Sequence, residues 1–100
     1  QEVLVDLEGA VAPDYVFETY YNGFSEMMPE YSLISLEELE AFLKENYHLP
    51  NVPSAETMRT EGISLKEMNL ILLQKIEELT LYTLQQQKEI DALKEKISEK

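Results

Sequence analysis

Groups with catalytic or ligand-binding potential are few and scattered along this chain. His48 is the sole histidine; a single imidazole among isolated carboxylates forms neither a zinc set nor a nucleophilic triad, and its place before Pro50 suits packing or capping. Adjacent acids, Glu37 with Glu38 and Glu77 with Glu78, fall on helical segments, where neighbouring side chains diverge, so they do not assemble a general acid and base. They are expected as surface or capping charges. Asp6, Glu8 and Asp14 have the oxygen chemistry for calcium but lack the loop spacing that an EF-hand needs. Gly9, Gly23 and Gly62 are too far apart for a phosphate-cradling loop. Without cysteine there are no disulfides, thiolate ligands or thiol nucleophiles. The sequence therefore predicts no enzyme, no catalytic residue, no metal and no cofactor.

The remaining chemistry is apolar. Tyr15, Phe17, Tyr20, Tyr21, Phe24 and Tyr31 put an aromatic-rich stretch in the first third, where rings could stack against a glycan or a peptide or else pack as core. The segment Tyr15 to Tyr31 is thus a candidate ligand-binding surface. The last third offers a stronger pattern. Steps of three and four residues pick out Leu65, Asn69, Leu72, Ile76, Leu79, Thr83, Gln86, Ile90, Leu93 and Ile97, an unbroken alternation of the two core positions of a heptad. Asn69, Ile76, Thr83, Ile90 and Ile97 take position a, and Leu65, Leu72, Leu79, Gln86 and Leu93 take position d. These ten residues are the predicted oligomer interface, and seven of them are Leu or Ile.

Charge narrows the partners. Twenty acids face eight bases, for a net charge of −12, and residues 1 to 43 hold ten acids with no Lys or Arg. Such a surface is repelled by nucleic-acid phosphates and anionic lipids, and it keeps the chain soluble. No apolar run is long enough for membrane insertion. A chain opening at Gln1 without Met reads as a processed product, with the expectation that a signal peptide has been removed and that the protein is secreted or held at the cell surface.

The elements that position the seam follow from local signals. Val3, Val5 and Leu7 alternate with Leu4, Asp6 and Glu8 as in a half-buried strand, and Tyr15-Val16-Phe17 is a second β-prone patch. Tyr20 to Tyr31 forms a connector with too many large apolar groups to stay free of packing. Ser35-Leu36-Glu37-Glu38 is a capping box that opens a short amphipathic helix carrying Leu36, Leu39, Phe42 and Leu43 and stopping before Pro50. Ser54 caps a brief helix that Gly62 ends, and Ser64 with Glu67 opens a further capping box. From Leu65 to Lys100 no Pro or Gly interrupts a helix of about 50 Å.

The expected fold is mainly α with a small β element (α+β): a head of short strands and two short helices over residues 1–63, then a long helix over 64–100 forming a parallel coiled coil. Met68, Leu70, Ile71, Leu73, Leu81, Tyr82 and Leu84 lie off the seam and make the first half of the long helix apolar nearly all round, so the head is expected to surround residues 64–84. Beyond Leu84 every off-seam residue except Ala92 is polar, which leaves Ile90, Leu93 and Ile97 as a narrow strip suited to another helix of its kind. Glu89 at position g and Lys94 at the next e could pair between parallel strands. Heptad chemistry alone leaves dimer and trimer open.

Particular strings add a resemblance. Tyr31 to Leu84, with Ser35-Leu36-Glu37-Glu38-Leu39-Glu40, Glu45-Asn46, His48-Leu49-Pro50-Asn51-Val52-Pro53-Ser54-Ala55, Gly62-Ile63, Glu67-Met68-Asn69, Leu72-Leu73-Gln74-Lys75 and Glu77-Glu78-Leu79-Thr80-Leu81-Tyr82, resembles the carboxy-terminal tail-fibre-type module of exported Bacteroidota proteins. Pro13-Asp14-Tyr15-Val16-Phe17 fits the same pattern. By analogy with tail-fibre chaperone modules, the resemblance implies a homotrimeric cap that registers a fibrous or surface protein. No self-cleavage motif of those modules aligns with this chain.

Overall fold

A computed structural model of the chain describes residues 13–99. Among these residues it is helical, in the order α1 (Tyr15–Asn22), α2 (Leu36–Asn46), α3 (Ala55–Glu61) and α4 (Leu65–Ser98). The expected β element is thereby corrected: no strand occurs among the described residues, and the expected strand around Val3 to Leu7 lies outside them. The β-prone patch Tyr15-Val16-Phe17 is the first turn of α1. Preference for strand in such residues is a preference for a half-buried surface, and a helical turn that buries them satisfies it equally well. That turn buries Tyr15 and Val16 against α4. Gly23 closes α1 in the left-handed conformation, its N–H donating to the Thr19 carbonyl at 2.8 Å.

The later helices start at the hydroxyls that announce them. Ser35 Oγ accepts from the Glu38 amide at 3.1 Å, and the Glu38 carboxylate accepts from the Ser35 amide at 3.0 Å, which completes the capping box of α2. Ser54 accepts from the Thr57 amide at the head of α3, and Ser64 accepts from the Glu67 amide at the head of α4. At Ser64 only this half of the expected box is formed. α2 ends on Tyr47 in the left-handed region (φ 59°), and α3 ends on Gly62 at φ 73°.

The core is small and sits where α1 crosses the lower half of α4. Tyr15, Val16 and Leu81 are its buried centre, with Phe17, Tyr20, Met28, Tyr31 and Leu33 packed around them. Neither α2 nor α3 contributes a buried residue. On α4 the buried residues are Gln74, Glu77, Leu81 and Tyr82, a single face, whereas Leu65, Leu72, Leu73, Ile76, Leu79 and Leu84 stay exposed. The head therefore does not surround residues 64–84, as their all-round apolarity suggested; it clasps one side. From Gln86 to Glu99 every residue is exposed, and the rod projects beyond the head, along a molecule 57 Å in its longest dimension.

With so few residues in the core, each carries a large share of the stability. Leu81→Ala, at a fully buried position, is expected to lower the unfolding free energy by about 2–4 kcal/mol in urea titration; a loss under about 1 kcal/mol would mean that the α1–α4 contact is not the core.

Candidate functional site

The face of α4 that holds the head is built from polar groups as much as apolar ones. The Tyr15 hydroxyl accepts from Gln74 Nε2 at 2.6 Å, the Tyr31 hydroxyl donates to Glu78, and the Tyr82 hydroxyl donates to the Ile34 carbonyl at 2.8 Å. Tyr15 and Tyr31 meet edge to face with ring centroids 5.1 Å apart. Lys75 Nζ lies 3.1 Å from the other oxygen of Glu78. Burial raises the Tyr31 phenol far above its ordinary range, and the bond to Glu78 raises it further, so the hydroxyl keeps its proton and remains a donor. Tyr15 and Tyr82 are likewise raised, first by burial.

Glu77 is the most unusual group on this face. It is 4 % exposed, and its carboxylate accepts from the Asp14 backbone N–H at 3.1 Å. Burial first, and the Asp14 carboxylate next, push its carboxyl up to about 7. The sequence treated Glu77 and Glu78 as surface or capping charges; they are instead the two carboxylates that tie α4 to the head. The legible sign was their position in the apolar half of the rod, opposite tyrosines able to reach them.

The predicted seam lies on the other side. Leu65, Asn69, Leu72, Ile76, Leu79, Thr83, Gln86, Ile90, Leu93 and Ile97 are all exposed, with Leu65 at 73 %, Leu79 at 65 % and Ile97 at 70 %. They share one stripe along the full length of α4, and the head leaves that stripe open. Glu89 and Lys94 flank it, both exposed, and among the described residues neither forms an ion pair within the chain.

Beside the seam, where α4 meets the loops at 32–34 and 49–51, is a cavity of about 230 Å³ walled by Leu33, Leu39, Leu49, Pro50, Leu79 and Tyr82, with Lys75 and Glu78 also lining it. Leu79 belongs to both the seam and the cavity wall. The aromatic segment proposed as a ligand surface is divided: Tyr15 is buried, Phe17, Tyr20 and Tyr31 pack against the core, while Tyr21 and Phe24 are exposed. His48 donates from Nδ1 to the Leu49 carbonyl at 2.9 Å and stands edge-on to Phe42. No group of three or more His, Cys, Asp or Glu residues that could hold a metal occurs among the described residues. None of the described helices is long and apolar enough to cross a membrane. Comparisons with protein-family models, curated proteins and solved structures find no match.

The buried carboxyl gives the fold a pH signature. A carboxyl held up near 7 in the folded chain, against an ordinary value of 4.5, favours folding most when protonated in both states. Its contribution is complete below pH 4.5 and is lost as pH rises through about 7. Glu77→Gln keeps an acceptor for the Asp14 amide without the charge. It is expected to raise the melting temperature at pH 8 and to leave it nearly unchanged at pH 4.5; a variant less stable than the parent at pH 8 would show that the ionised carboxylate is what the site requires.

Proposed function

We propose that this chain is a non-enzymatic self-assembly module, in which α4 closes against copies of itself along the seam from Leu65 to Ile97. The observation that carries the reading is the division of α4: the head occupies one face, and all ten heptad core residues lie exposed on the other. The seven Leu and Ile side chains are 46 % (Ile90) to 73 % (Leu65) exposed, so moving one into an interface is worth about 1–2 kcal/mol. Seven such residues per chain, multiplied over two or three chains, offset an association cost of about 4–15 kcal/mol. The rod beyond Gln86 strengthens the case, because an isolated helix held only at one end is marginal in water and gains its stability from packing.

We favour three chains over two, on the resemblance of the chain from about Pro13 to its end to tail-fibre-type modules. On the same ground the module's role is to register and terminate a fibre-like protein that is exported or displayed at the cell surface. Assembly is then the function, and the partner is a second and third copy of this chain, not nucleic acid or a membrane.

Sedimentation equilibrium tests the reading. The chain is expected at three times, or failing that twice, its 11.6 kDa mass. Ile90→Asp combined with Leu93→Asp places charges in two core layers and is expected to weaken association by about 100-fold or more. Unchanged mass in the double variant would move the interface off this strip, and a single-chain mass for the parent at micromolar concentration would overturn the proposal.

A further inference from the structure

The contact between α1 and α4 brings two carboxyl groups together. Glu77 is 4 % exposed and accepts from the Asp14 backbone N–H at 3.1 Å, and the Asp14 carboxyl stands beside it, within reach of a shared proton. We propose that this pair is a proton-operated latch: α1 stays docked on α4 while Glu77 carries a proton and comes away when Glu77 ionises, leaving α4 helical. The inference goes beyond self-assembly, since it concerns the face of α4 turned away from the seam.

Three features of the docked helix show how lightly it is held. Asp14 sits at φ 129°, in a region that residues with a Cβ rarely adopt, and undocking lets it relax. The Thr19 hydroxyl oxygen is buried without a hydrogen-bond partner, so docking strips it of water and returns nothing. Finally, α1 has only eight residues, and Asp14 at its N-cap makes no side-chain cap bond; a helix so short does not persist once it leaves its support. Against these stand Tyr15 and Val16 in the core and the bond from Gln74 to the Tyr15 hydroxyl at 2.6 Å. The proton tips the balance between the two sets.

The charges around Glu77 supply the lever. From α1 it faces the Asp14 carboxyl and, more weakly, the Tyr15 phenol. On α4 itself its neighbours are Lys75 and Glu78, which pair with each other at 3.1 Å, and the connector brings Tyr31, whose hydroxyl donates to Glu78. The one base in this group is therefore already engaged by Glu78. An ionised Glu77 sits desolvated against a second carboxyl, with one backbone N–H in compensation, and two carboxylates in one site resist joint ionisation. Burial first, and the Asp14 carboxyl next, accordingly hold the Glu77 carboxyl up at about 7 while α1 is docked, against an ordinary value of 4.5 once α1 is away. A carboxyl raised in the docked state favours docking in full below its ordinary value, and that preference is lost as pH climbs from 4.5 through about 7.

Backbone carbon-13 chemical shifts of the full chain test the latch. Between pH 5.5 and 8.5 the ratio of undocked to docked α1 is expected to rise about 30-fold. The Cα shifts of Glu18, Thr19 and Tyr20 then move from helical towards coil values, while those of Leu79 to Leu84 stay helical. Glu77→Gln keeps an acceptor for the Asp14 amide and cannot ionise, so it is expected to hold α1 helical at both pH values. Should that variant fail to fold, Asp14→Asn removes the facing charge and keeps the backbone N–H; it is expected to retain more helical α1 at pH 8.5 than the parent. Helical α1 shifts in the parent at both pH values would overturn the latch, as would α1 and α4 losing helix together. Release in either variant as complete as in the parent would overturn it too.

Discussion

Everything in this molecule depends on how α4 is rotated about its own axis, and that rotation is set by hydrogen bonds more than by grease. Tyr15 on Gln74 and Tyr31 on Glu78 lock one face of the helix toward the head, with Tyr82 tied back to the Ile34 carbonyl. Apolar contacts alone would leave the orientation loose, because Leu, Ile and Met occur on every side of the rod between Leu65 and Leu84 and any of them would serve as core. A buried carboxylate or amide is less forgiving: turned away from its partner it is left desolvated and unpaired, at a cost of about 1–3 kcal/mol or more. The polar contacts thus select which apolar stripe is buried and which is offered to solvent.

The consequence is a head that is small for what it carries. Its buried centre is Tyr15, Val16 and Leu81, and α2 and α3 lie over the surface without burying a residue. A chain of this size has little surplus stability to begin with, and here much of its apolar area, from Leu65 to Ile97, is not spent on its own fold. The two facts explain each other if the folded unit is the assembly.

Three of the four helices, α2, α3 and α4, were legible in the sequence because their starts are written in short-range chemistry. Ser35, Ser54 and Ser64 each accept from the amide three residues on, and no tertiary information is needed to see that. The seam was legible for a similar reason, since period and residue type suffice to define a stripe. What the sequence misassigned required knowledge of partners. Tyr15-Val16-Phe17 has strand-forming side chains, yet the turn that best buries Tyr15 and Val16 against Leu81 is helical. Glu77 and Glu78 look like surface charges until Asp14 and Tyr31 are placed beside them. An apolar girdle from Met68 to Leu84 suggested a helix enclosed on all sides, because composition counts apolar residues without saying whose surface they will meet.

The central claim is that the projecting half of α4 is held in place by another copy. Amide hydrogen exchange followed residue by residue, at two protein concentrations a hundredfold apart, reads this most directly. A rod stabilised by its neighbours would show slow exchange from about Gln86 to Ile97 at the higher concentration and fast exchange at the lower, with the amides of Leu81 and Tyr82 protected at both. Fast exchange along the projecting half at every concentration, beside a protected head, would contradict the account.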